Sequence, residues 1–176
     1  MTPDRSKTSF PRLLEAAQKG EEIVIARSSS PMARFEPRTK LPITFLDTNI
    51  LVYAEDQSEQ VKRKLAVQLI LEHKRQRTGV VSLQVLQEFF TTVTRKLKLD
   101  IGIARYKVEF HSRFTVGEPT VADIFAAIDI HRIHGFSYWD ALILRMAKQT
   151  GCRVLLTEDL QHGQVFEGVR IVNPFL

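Results

Sequence analysis

The stretch "ITFLDTNILVYA", residues 43–54, places a carboxylate, Asp47, between two apolar runs. The first run, "ITFL", is continuous rather than alternating, the pattern of a strand buried on both faces. No Lys or Arg lies near Asp47 in sequence, so its partner must come from elsewhere in the fold or from solution.

Outward from that stretch, strands and helices alternate. "SEQVKRKLAVQLILEHKRQR" reads as a helix with Val61, Leu65 and Leu69 on its apolar face, and "GVVS" as a second strand. In "LQVLQEFFTTVTRKLKL" the residues Leu86, Phe89, Phe90, Val93 and Leu97 follow helical spacing, which puts Glu88 on the opposite side, facing solvent. A helix over "IARYKVEFHSRF" precedes a weak strand in "TVGEP". Two more helices, "VADIFAAIDIHRIHG" and "SYWDALILRMAKQTG", end at Gly135 and Gly151, and "RVLL" and "VRIV" are strands. This order predicts an α/β fold with a mostly parallel sheet covered by helices on both faces.

In such sheets ligands bind beyond the carboxyl ends of the strands. Asp47 directly follows "ITFL" and Asp159 follows "RVLLT", so both fall on that edge. Glu88 lies in the first turns after "GVVS", with Ser82 as the N-cap, on the same edge. Asp140 heads an apolar stripe of Ile143, Leu144 and Ala147. Two roles are open to it: a member of an acidic site, or a capping-box acid three residues after Ser137. Carboxylates brought together this way repel by about 1–4 kcal/mol per close pair, and a hard divalent cation removes that cost. An all-oxygen donor set selects Mg²⁺ or Mn²⁺ rather than zinc. The five histidines show no zinc spacing, and His131 and His134 read as ordinary helix residues.

The chain has 176 residues, 44% hydrophobic and 26% charged, room for one full domain and a small appendage. Its single cysteine, Cys152, excludes an internal disulfide and reads as a small buried apolar residue at a strand start. No uncharged run approaches a membrane span and the first residues lack a signal-peptide core, so a cytoplasmic protein without membrane contact is expected. A net charge of +5, with basic runs at 62–64, 74–77 and 95–98, suits a polyanionic partner or simply a solvated surface.

Residues 1–39 differ in character. "PRLLEAAQKGEE" reads as a helix ended by Gly20, "IVIAR" as a strand, and "MARFEP" as a second apolar piece after the turn "SSSP". The prolines of "PRTKLP" mark a linker near 37–42.

With those motifs in order, residues 43–176 resemble the PIN-domain nucleases, especially VapC-like toxins of type II toxin–antitoxin systems. "LDTNILVYA" resembles the first motif, "VSLQVLQEFF" the second, "FSYWDALILRMAKQTGC" the third and "LLTEDLQHGQVFEGVRIVNPF" the fourth. The resemblance implies a three-layer PIN-like fold and cleavage of single-stranded or looped RNA with Mg²⁺ or Mn²⁺. It implies that Asp47, Glu88, Asp140 and Asp159 are the catalytic, metal-holding acids and that Asn49 and Thr157 are accessory polar residues. Glu158 is the alternative to Asp159, which the family pattern favours. A cognate antitoxin and a homodimer are the implied protein partners. Residues 5–37 resemble the Phd/YefM-type antitoxins, lacking their first strand and toxin-binding tail. The domain division is therefore 1–39, an antitoxin-like fragment, and 43–176, the nuclease.

Two other readings remain. An apolar strand ending in Asp also opens haloacid-dehalogenase-type phosphatases, but these need a second Asp where this chain has Asn49. A catalytically inert fusion that acts as a DNA-binding regulator is the other.

Overall fold

The computed structural model describes residues 40–176 in full, and the backbone of residues 23–27 and 30–35 before them. The chain divides into two compact units, residues 1–40 and 41–176. In the first, β1 (Ile23–Arg27) and β2 (Ser30–Phe35) form an antiparallel pair with a register shift between Ile25 and Ala26. The helix read in "PRLLEAAQKGEE" lies outside the described residues.

The second unit is built on a six-stranded sheet. Its strands are β3 (Thr44–Leu46), β4 (Gly79–Ser82), β5 (Thr115–Gly117), β6 (Val154–Leu156), β7 (Val165–Phe166) and β8 (Val169–Val172), in the order β5-β4-β3-β6-β8-β7. All neighbours are parallel except β7, an antiparallel edge strand on β8 that the sequence pattern did not reveal. Two residues are too few to carry a periodicity. Six helices join the strands: α1 (Thr48–Tyr53), α2 (Gln60–Gln76), α3 (Leu83–Arg95), α4 (Ile101–His111), α5 (Val121–His134) and α6 (Tyr138–Gln149).

From β3 the chain steps one way to β4 and β5, then returns across β3 to β6. Right-handed crossovers put α1–α4 on one face and α5 and α6 on the other. Strand order therefore reverses at β3, the position where open α/β sheets form their ligand crevice. Buried Phe45, Leu46, Leu155 and Ile171 from the sheet meet Ile50, Leu51, Phe89, Leu144 and Met146 from the helices. Burying an aliphatic side chain of this size stabilises by about 1.5–3 kcal/mol, so the centre of the sheet anchors whatever its strand ends carry. Cys152 is buried, as the sequence indicated, and burial pushes its thiol up to about 11.

Helical phase was misjudged in two places. On α2 the buried face is Ala66, Ile70 and His73, while Val61 stands exposed. On α3 the buried face runs through Val85, Leu86, Phe89 and Val93 and includes Gln84, while Phe90 is exposed. That rotation leaves Glu88 half-buried instead of on the solvent face. The helix packs on neighbours from two sides, so its buried arc is wider than one stripe. Among the described residues, no helix is long and apolar enough to cross a membrane.

Candidate active site

Asp47 lies between β3 and α1, joined to the sheet by its backbone and to the helix by its side chain. Its backbone N–H donates to the Leu156 carbonyl (3.1 Å), continuing the ladder to β6, while one carboxylate oxygen accepts from Thr48 N–H (2.6 Å) as the helix N-cap. The other oxygen accepts from the Thr157 hydroxyl (2.6 Å) and from Asn49 Nδ2 (3.2 Å). The residue is 4% exposed. Burial pushes its pKa up to about 7; the Thr157 and Thr48 hydrogen bonds pull the other way, and the Asp159 and Glu88 charges add to the rise.

Those two acids are tied to Asp47 by short polar side chains. The Thr48 hydroxyl donates to Glu88 (2.8 Å), whose other oxygen accepts from Gln84 Nε2 (3.2 Å). Ser82 caps α3 as anticipated, its hydroxyl accepting from Val85 N–H (3.3 Å), which aims the first turns of that helix at the crevice. Asn49 Nδ2 also donates to Asp159 (3.0 Å) and to the Thr157 hydroxyl (3.1 Å), which accepts in turn from Asp159 N–H (3.1 Å). Asn49 and Thr157 are thus the joints of the cluster. Glu88 and Asp159 share the wall of a cavity of about 580 Å³ with Thr48, Asn49, Tyr53 and Lys96.

Glu158 lies in the same wall but is already compensated. It accepts from Lys62 Nζ (2.7 Å) and from the Tyr53 hydroxyl, with Lys62 4.3 Å from the centre of the Tyr53 ring. Asp159 instead turns toward Asn49. Asp140 stands half-buried in the first turn of α6; its N–H donates to the Ser137 hydroxyl (3.1 Å), which donates back to its carboxylate (2.6 Å). The structure therefore brings Asp47, Glu88, Asp159, Asn49 and Thr157 together, and holds Asp140 to Ser137. Sequence reasoning missed Thr48, Gln84, Tyr53 and Lys62. Of these only Thr48, beside the anchoring Asp47, offered a local signal.

Among the described residues, no three Asp, Glu, His or Cys side chains are gathered as a ready metal site. The donor set nonetheless suits a hard cation. It is all oxygen, its central carboxylate lacks a cationic partner among its hydrogen bonds, and Asn49 Oδ1 is buried with no hydrogen-bond partner.

The PIN domain family model matches residues 44–166. Among solved structures, the chain resembles VapC20 of Mycobacterium tuberculosis, described as a Sarcin-Ricin loop cleaving toxin. The TM-score is 0.54 at 17% identity, over 64% of this chain and 86% of that one. A toxin–antitoxin complex from Klebsiella pneumoniae aligns with TM-score 0.52 and 18% identity, over 72% and 94% of the two chains. VapBC2 from Rickettsia felis, bound to a DNA fragment from its promoter, aligns with TM-score 0.51 and 21% identity, over 73% and 96%. No curated protein sequence matches the chain significantly.

Proposed function

The chain belongs to the PIN-domain family, and from that premise we propose that it is a ribonuclease, the toxin of a type II toxin–antitoxin pair, cleaving single-stranded or looped RNA with Mg²⁺ or Mn²⁺. The observation that carries this is Asp47: buried, its pKa raised to about 7, beside two further acids and with no Lys or Arg among its hydrogen-bond partners. Asp47, Glu88 and Asp159 would hold the ion, with Asp140 as a fourth acid from the start of α6. A hard divalent cation there supplies charge for a phosphate oxygen and lowers the pKa of attacking water.

The chain's own residues orient the site. Thr157 and Thr48 fix both oxygens of Asp47; Thr48 and Gln84 hold Glu88; Asn49 bridges Asp47 and Asp159. Lys62 and Tyr53 keep Glu158 neutralised and away from Asp159's role. An unstacked strand is the substrate proposed for this open cavity, because such a site needs an accessible backbone.

Two apolar surfaces support the protein partners. A groove walled by Leu83, Leu86, Phe90, Ile101 and Val108 suits an antitoxin segment, and exposed Val121, Ile124, Phe125 and Ile128 on α5 suit a homodimer. Residues 1–39 are read as an antitoxin-like fragment that is dispensable for chemistry.

The test is cleavage of single-stranded RNA by purified protein. Activity should require Mg²⁺ or Mn²⁺, stop with EDTA, fall at least about 100-fold in Asp47→Asn, and survive deletion of residues 1–39. Cleavage that persists both in EDTA and in Asp47→Asn sinks the metal-nuclease reading. Operator-DNA binding without any RNA cleavage would favour the inert regulator.

A further inference from the structure

The sheet edge opposite the acids is basic. Arg113 and Arg77 stand just before β5 and β4, Arg153 just before β6, and Arg170 within the start of β8; all four are exposed. Three cations converge at one end of this row. Lys74, Arg77 and Arg113 line a cavity of about 290 Å³ with Gly79, Phe114 and Thr115, and no acid is in its wall.

The pocket is built, not a chance gathering of surface chains. Lys74 is held by the Phe110 carbonyl, which accepts from its Nζ, and by the rings of Phe110 and Phe114, 3.9 and 4.5 Å from the ammonium. Phe114 sits so close over Gly79 that a Cβ there would meet its ring at 2.6 Å, so the floor is closely packed. Arg77 occupies a left-handed backbone position (φ 55°) at the end of α2, where glycine would fit with less strain. Burial and the Arg113 charge both lower the Lys74 pKa. Arg113 has only a 3.4 Å contact with Glu109 in an exposed pair to offset its own charge.

We propose that Lys74, Arg77 and Arg113 form a phosphate-binding site separate from the carboxylate cleft, and that the phosphate it takes belongs to the backbone of a bound RNA strand. The chemistry is that of guanidinium forks and an ammonium around a tetrahedral anion. β4 has four residues, so the two edges of the sheet lie roughly 13 Å apart in a straight line, and a single strand that touches both runs round the outside of the domain. The site itself does not depend on the nuclease reading; only the source of the phosphate does.

The experiment uses the full chain in EDTA, so that RNA stays intact, with two probes: sodium phosphate and a short single-stranded oligouridylate. The variant Arg77→Gly/Arg113→Gln, whose glycine suits the left-handed position, is compared with Lys64→Gln/Arg132→Gln, which removes the same charge elsewhere. Circular dichroism confirms that both fold. The expected result is that phosphate raises the melting temperature of the wild type and the control but not of the pocket variant. RNA affinity should fall about tenfold in the pocket variant alone, with the log–log salt slope shallower by about 1.4 for two lost contacts. Loss of the phosphate effect with unchanged RNA affinity would overturn the RNA assignment and identify a site for free phosphate. Unchanged response to both probes would overturn the site. Absence of cleavage when Mg²⁺ is restored would count against the nuclease reading and leave the phosphate result standing.

Discussion

Two buried carboxylates in this domain have opposite fates. Asp123, in the first turn of α5, accepts from Thr120 N–H (3.0 Å), the Thr120 hydroxyl (2.6 Å), Arg145 Nε (2.8 Å) and Gln149 Nε2 (3.1 Å). Those bonds, the Thr120 ones foremost, hold its pKa down at about 2. Asp47 is about as buried and also well hydrogen-bonded, yet burial and two acidic neighbours lift it to about 7. What separates them is desolvation, which outweighs every hydrogen bond at Asp47, against the Thr120 bonds that prevail at Asp123 with the Arg145 guanidinium beside them. At Asp123 the chain supplies the countercharge itself; at Asp47 it supplies only neutral donors and more negative charge. The fold satisfies one acid fully and leaves the other short of a cation, which is the feature the proposed metal site builds on.

The sharpest way to break the comparison is at its satisfied end. Asp123→Ala removes the capping box of α5 and leaves Arg145 without its partner, which should cost about 2–4 kcal/mol. That is roughly 4–16 °C in melting temperature, the same with Mg²⁺ or EDTA. A loss under about 1 kcal/mol would mean that Asp123 is not the anchor the structure makes it. Because its folded pKa is depressed, the Asp123 contribution is present above the ordinary carboxylate range and lost as pH falls toward 2. Asp123→Ala should therefore unfold with a flatter pH dependence between about 4 and 2.

His111 supplies a second acid sensitivity, of comparable or smaller size. It is 2% exposed, both ring nitrogens lack a partner, and burial followed by the Lys74 and Lys107 charges lowers it to about 4. The unfolded state binds its proton first, so stability should fall as pH drops from about 6.5 to 4, by up to about 3 kcal/mol. His111→Leu should abolish that slope in urea titrations at successive pH values. An unchanged slope would assign it to other groups.

At the unsatisfied end the sign reverses. In EDTA at pH 8, Asp47→Asn should raise stability by about 1–2 kcal/mol, since it removes a buried charge and its repulsion from Glu88 and Asp159 at nearly constant volume. It should also diminish the stabilisation by Mg²⁺, which follows affinity for the native state. A variant that melts lower in EDTA and keeps the full Mg²⁺ response would make Asp47 a structural cap and nothing more. The smallest effect belongs to Asp140. As a member of the site, Asp140→Asn should raise the metal-free stability by about 1 kcal/mol and weaken the Mg²⁺ shift. As the partner of Ser137 alone, it should lose about 0.5–1 kcal/mol under both conditions.

Much of this was legible from the residues. Apolar runs and helix-length spacings determined that "ITFL", "GVVS", "RVLL" and "VRIV" would be strands, and these are β3, β4, β6 and β8. An acid placed within a few residues after such a strand lies at its carboxyl end, so Asp47 and Asp159 were bound to the same edge. Local chemistry also determined the Ser82 cap. Only the tertiary structure decided which side of α3 is buried, because that depends on what packs against the helix and not on its own periodicity. Contacts between residues far apart in the chain were equally hidden: Thr48 with Glu88, Lys62 with Glu158, Arg145 with Asp123. A charge looks the same in sequence whether it finds a partner across the fold or not, and its pKa is set by that partner and by burial. Asp47 and Asp123 are one residue type in the sequence; the fold made them opposites.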